Sequence, residues 1–99
     1  MDRQEIIKSI NNDKIIVIIR GLTETQLIDS VGAMIKGGIR LVELPFDASG
    51  KNSNKEICKN VKLLKERFSS EGLHVGVGTV LNTKQVKMAK RAGAEYVIS

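Results

Sequence analysis

Residues 34–44 read MIKGGIRLVEL, and residues 88–99, MAKRAGAEYVIS, follow the same plan: the end of a helix, a glycine turn, then a short apolar strand. Before the first of these turns the apolar residues Leu27, Ile28, Val31, Met34 and Ile35 recur at helical spacing, whereas after it they form a nearly continuous run. An apolar run with no polar alternation is the pattern of a parallel strand covered by helices. The repeating unit is strand plus helix, which makes this an α/β chain with a parallel sheet.

Working outward, the expected strands are IIVIIR (15–20), IRLVELPF (39–46), HVGVGTV (74–80) and EYVIS (95–99). Asp2, with Glu5 three residues on, is placed to cap a first helix, DRQEIIKSI. Thr23 and Gln26 form a capping box for the second, which ends at Gly37 and Gly38. After the polar loop DASGKNSN comes NKEICKNVKLLKERF (54–68), with Ile57, Val61, Leu64 and Phe68 on its inner face. Asn82 and Gln85 open a last helix that runs through Val86 and Ala89 and stops at Gly93. Two architectures use this unit, the closed eight-unit barrel and the open doubly wound sheet, and periodicity does not separate them. A four-stranded curved sheet with helices on one side leaves its concave face open, so residues 1–99 read as one domain that looks unfinished, a partial barrel if the unit is that of the closed barrel.

Composition narrows the function classes. Of the 99 residues 41% are apolar and 27% charged, as in a globular domain, and the size allows a single core. The longest uninterrupted apolar run, Ile15 to Ile19, is far short of the roughly 20 residues of a membrane helix. The opening MDRQEIIKSI lacks the order of a signal peptide, and the single cysteine, Cys58, suits a reducing compartment. A cytoplasmic protein with no membrane partner is expected. The net charge of +5 is spread over helical lysines 55, 59, 62, 65, 84, 87 and 90, and three aromatics offer little stacking surface. That distribution argues against nucleic acid and for a small anionic ligand.

Glu43, in the middle of an apolar strand, requires a partner or a task. In a barrel the C-terminal ends of the strands carry the reacting groups. Those ends hold Arg20, then Glu43 with Pro45 and Asp47 on the same parity, then Thr79, while Val42 and Leu44 face the helices. A cation, a carboxylate and a hydroxyl facing one space suit a site that binds a carboxylate substrate and moves a proton. The alternative at this point is a buried Arg20–Glu43 ion pair with no chemistry. GVGTV is not a dinucleotide loop, because Leu81 stands where a third glycine is needed. Gly76 and Gly78 are instead expected to admit a neighbouring backbone or helix. SGKN, 49–52, reads as a turn, Cys58 as a packing residue, and His74, at the wrong end of its strand, as structural.

Taken together, IIVIIRG, KGGIRLVELPFD, HVGVGTVLNTKQV and KRAGAEYVIS resemble the 2-keto-3-deoxy-6-phosphogluconate / 4-hydroxy-2-oxoglutarate aldolase family, in order and from Ile15 to Ser99. The resemblance implies a TIM (β/α)8 barrel and a class I aldolase of carbohydrate metabolism. Such an enzyme needs no cofactor or metal; a lysine forms a Schiff base with a 2-keto acid that is cleaved to pyruvate and an aldehyde. It further implies that Glu43 shuttles protons, that Thr79 hydrogen-bonds the pyruvyl carboxylate, and that Arg20 supplies positive charge at the mouth of the first strand. It points to a small anionic keto-acid substrate and a homo-oligomer, trimeric in the family. Asp47 departs from the pattern, standing where many members carry an arginine. The Schiff-base lysine of the family lies near the sixth strand and the phosphate site after the seventh and eighth, so the isolated 99-residue chain is expected to be inactive. The competing expectations are a self-associating half-barrel and a nonenzymatic binder of small anionic metabolites.

Overall fold

The computed structural model describes residues 15–98, and the expected helix at residues 2–10 lies outside them. Its elements are β1 (Val17–Ile18), α1 (Glu24–Lys36), β2 (Leu41–Pro45), α2 (Asn54–Phe68), a 3-10 turn (Ser69–Glu71), β3 (His74–Gly78), α3 (Thr83–Ala92) and β4 (Tyr96–Val97). All neighbouring strands are parallel and the order is β1-β2-β3-β4. A doubly wound sheet must reverse its strand order, and this one does not; right-handed crossovers along an unreversed order put every helix on the same face. The chain is thus four strands of a partial TIM-barrel wall, as the strand-helix alternation anticipates.

Packing follows that geometry. Val42 and Leu44 of β2 and Val75 and Val77 of β3 share one core with Leu27 and Val31 of α1, Val61, Leu64 and Phe68 of α2, and Ala89 of α3. The helix starts are satisfied locally. Thr23 Oγ1 accepts from Gln26 N at 3.2 Å while Gln26 Oε1 accepts from Thr23 N at 3.0 Å, and Ser53 and Asn82 cap α2 and α3. Gly93 ends α3 with φ at +95°, a conformation that costs an L side chain strain. No described helix is long and apolar enough to cross a membrane.

Three expectations are corrected. The strand anticipated over 15–20 pairs only at Val17 and Ile18, and Ile18 is 58% exposed. Its apolar character on both faces does not mean cover on both, because among the described residues the helices lie on one face only. In α3, Val86 is exposed and Gln85 is buried. Gln85 Oε1 accepts from Leu81 N at 2.7 Å and its Nε2 donates to Asn54 Oδ1 at 3.3 Å, which ties α3 to the start of α2 and turns Val86 outward. Lys65 is not on a solvated face: its Nζ lies 2.8 Å from Glu95 Oε1, and Glu95 Oε2 lies 2.8 Å from His74 Nδ1. This cluster fastens α2 to the N-terminal end of the sheet, and His74 is structural as its position suggests.

Leu64 is fully buried between α2 and the sheet. Leu64→Ala is expected to lower the stability of the folded chain by about 2–5 kcal/mol, measured as a fall in the urea midpoint with an unchanged slope.

Candidate active site

Glu43 stands at the centre of β2, paired with Ile18 on one side and Gly76 on the other. Strand alternation turns its side chain away from Val42 and Leu44, hence away from the helices. It is only 5% exposed, and its Oε2 is buried with no hydrogen-bond partner. Burial pushes the carboxyl above its ordinary range, and the positive charge of Arg20 reverses only part of that rise. Among the described residues no cation lies within ion-pair distance of it. The inert Arg20–Glu43 ion pair is therefore not what this structure contains.

The carboxylate does not lie over its own rung. A Cβ built on Gly78 would fall 2.1 Å from Glu43 Oε1, so the side chain runs diagonally across β3 toward the C-terminal end of the strands. A Cβ on Gly76 would fall 2.1 Å from the ring of Tyr96. The glycines of GVGTV do make room, but for two side chains arriving from the flanking strands and not for a backbone or helix.

At the strand ends, Arg20 and Thr79 line a cleft of about 470 Å³ together with Pro45, Asp47 and Asn52. Arg20 is exposed, and Glu43 does not line the cleft; it lies one rung below Pro45, on the sheet face. Thr79 has φ at +52°, a left-handed conformation that is rare for a β-branched residue and tends to be kept where a site needs it. The structure thus gathers Arg20 and Thr79 at a cleft that Leu27, Leu44 and Ile57 line from the helix side, and leaves Glu43 on the opposite face of the sheet, coupled to Arg20 through the field. Asp47 turns into its own loop, where it accepts from Ser49 Oγ and from the amides of Ser49 and Asn52. The Ser49 hydroxyl first, then those amides, hold its carboxyl down to about 2.

Comparison with known proteins decides the family. A family model described as KDPG and KHG aldolase matches residues 6–99. The chain belongs to that aldolase family. It is 27% identical over 85 residues to the 2-dehydro-3-deoxy-6-phosphogalactonate aldolase of Escherichia coli (strain K12), covering 86% of this chain and 38% of that enzyme. The native KDPGal structure superposes with a TM-score of 0.69 at 26% identity, over 85% of this chain and 37% of that one. A cube-shaped, highly porous protein cage designed by fusing symmetric oligomeric domains gives 0.68 at 27% identity, over 83% of this chain and 28% of its own. The chain therefore spans well under half the length of these relatives.

One residue of the face was not singled out from sequence. Tyr96 reaches across β3 and donates its hydroxyl to the carbonyl of Val42. Burial first, then the charges of Glu43 and Glu95, push its phenol far above the ordinary range, so it stays a donor. Its sequence signal was the pair of glycines opposite an aromatic on the next strand.

The pH dependence of stability should reveal the state of Glu43. Its folded-state pKa lies above the ordinary value of 4.5, so the native state keeps a proton that the unfolded chain has lost. The contribution of this group to stability is full below that value and declines as pH rises through the folded-state pKa. Glu43→Gln should raise the urea midpoint at about pH 7 relative to the parent, and the gain should vanish near pH 4. Parallel midpoint profiles would count against a buried, proton-holding carboxyl.

Proposed function

We propose that this chain supplies the proton-transfer half of a class I aldolase site, cleaving a 2-keto-3-deoxy or 4-hydroxy-2-oxo acid to pyruvate and an aldehyde. The observation that carries the reading is Glu43: buried, turned from the core, with one oxygen unpartnered and its proton affinity raised. A carboxyl in that condition holds a proton more readily than an exposed one and is suited to proton exchange. In the cleavage a base takes the proton of the C4 hydroxyl as the C3–C4 bond breaks. The electron pair passes to the imine of the bound keto acid, and the resulting enamine carbon is reprotonated by the acid so formed. Arg20 and Thr79, at the cleft, are assigned to the substrate carboxylate.

The imine nitrogen must come from a lysine whose amine is neutral, which requires burial near the reacting carbon. No described lysine stands on a strand: all lie on helices or in the β2–α2 loop, and Lys65 is held by Glu95. We assign the nucleophile to a part of the barrel outside residues 15–98. Incubation of the 99-residue chain with pyruvate and borohydride should leave its mass unchanged. A covalent pyruvyl adduct would overturn the assignment.

A second reading, self-association, is favoured by the two sheet edges, where Ile18 of β1, Val97 of β4 and the adjoining Ile98 are 58%, 47% and 39% exposed. Unpaired parallel edges with apolar side chains invite pairing with another copy. The designed cage that shares the fold was made from symmetric oligomeric domains, which is in keeping with this reading. Light scattering should give a discrete assembly of two or more chains at micromolar concentration; a monodisperse monomer would eliminate it.

A further inference from the structure

The proton-transfer reading assigns Glu43 a task but leaves open what aims its side chain. Two glycines on β3 leave two slots on the sheet face, and each is filled from a different flanking strand. The slot over Gly76 holds the ring of Tyr96, whose Cε2, Cδ2 and Cζ lie 2.1, 2.2 and 2.6 Å from where a Cβ would stand. The slot over Gly78 holds the carboxyl group of Glu43, with Oε1, Cδ and Oε2 at 2.1, 2.3 and 2.6 Å from the equivalent point. Glu43, Gly76 and Tyr96 are register partners, so the nearest empty space beside Glu43 is the slot the tyrosine occupies.

The tyrosine is fixed there at both ends. Its backbone belongs to β4, paired with Gly76, and its hydroxyl is bound to the carbonyl of Val42, the residue before Glu43. The ring therefore spans all of β3 and ends against β2 on the N-terminal side of the Glu43 backbone. With that space taken, the glutamate does not lie over its own rung on β3 but runs diagonally over Gly78 toward the C-terminal ends of the strands. Because the phenol is already engaged, it donates no hydrogen bond to the carboxylate, and Oε2 stays unpartnered.

We propose that Tyr96 is a positioning residue for Glu43, its ring blocking the Gly76 slot so that the carboxyl group projects over Gly78 toward the C-terminal ends of the strands. The ring also displaces the water that would otherwise solvate the acid from below. The proposal rests on the proton-transfer role of Glu43 for its purpose, while its geometry is independent of that role. Tyr96 touches no reacting atom. Its effect passes entirely through where Glu43 points and how dry it is.

The test is the titration of the Glu43 carboxyl carbon, followed by NMR in the 99-residue chain carrying labelled glutamate, for the parent, Tyr96→Phe and Tyr96→Leu. Tyr96→Phe keeps the ring and should leave the Glu43 midpoint nearly where it is. Tyr96→Leu keeps an apolar side chain but cannot span β3, and should return the midpoint toward the ordinary carboxylate range. A folded Tyr96→Leu variant whose Glu43 titrates as in the parent would overturn the positioning role and leave the proton-transfer reading intact. An ordinary midpoint already present in the parent would overturn both. Nuclear Overhauser contacts in the parent give a check that needs no variant: Tyr96 ring protons to Gly76 Hα and Glu43 Hγ to Gly78 Hα are expected. Glu43 Hγ contacts to Gly76 Hα would sink the proposal even if Tyr96→Leu fails to fold.

Discussion

Placing a carboxyl group on a sheet face without a hydrogen-bond donor costs free energy, and the cost is met by holding a proton or by finding a cation. Among the described residues Glu43 has no cation in contact, and one of its oxygens has no partner. The surroundings of the group read as conditions on that one placement. Gly78 must lack a side chain for the carboxyl to lie where it does, and Arg20 acts on it only through space. The left-handed Thr79 immediately follows the glycine that the carboxyl covers. One left-handed non-glycine residue just after β3 and one unpartnered buried oxygen on the neighbouring β2 are features of the kind that cluster at functional sites.

The architecture was legible because helix starts and strand interiors are written in local chemistry. The Thr23–Gln26 capping box, the Asn82 cap and the stop at Gly93 need nothing beyond their own segment, and all are found in place. The alternation of Val42 and Leu44 with Glu43 gave the face on which the acid stands, since register parity has only two outcomes. What could not be read depends on partners distant in sequence. The purpose of Gly76 and Gly78 is defined by side chains on β2 and β4, and a motif read along one strand does not contain them. Gln85 is buried because Asn54, thirty-one residues earlier, receives its amide; propensity favours Val86 for that place. Lys65 looks like any other helix lysine until Glu95 is brought beside it.

The unreversed strand order also explains how four strands hold a packed core. Each strand-helix unit closes its own core against its neighbours, so Val75 and Val77 are fully buried although, among the described residues, the opposite face of the sheet has no second layer of helices. In a barrel that face is the interior, filled by side chains from all strands. The chain covers 38% of the length of the Escherichia coli aldolase it is similar to. The acid and the amine of such a reaction can reside on different parts of one wall, because only their side chains need to meet.

Two glutamates, Glu43 on β2 and Glu95 just before β4, are both shielded from solvent, and they differ in their partners. The Glu95 side chain, 8% exposed, uses both oxygens, one on Lys65 and one on His74, each at 2.8 Å. That pairing holds α2, β3 and the approach to β4 together at the N-terminal end, where barrels keep their stabilising contacts. Glu43 is carried on β2, two strands from β4, faces the other way along the axis and, among the described residues, is left short of a partner. The same residue type is satisfied at one end and, among the described residues, left short of partners at the other. A fold that can assemble a complete carboxylate site with Lys65 and His74 has the means to neutralise Glu43 as well, and Arg20, exposed and unpaired among the described residues, stands close enough to be felt but not in contact. The shortage at Glu43 is thus a property of the site and not a general weakness of packing.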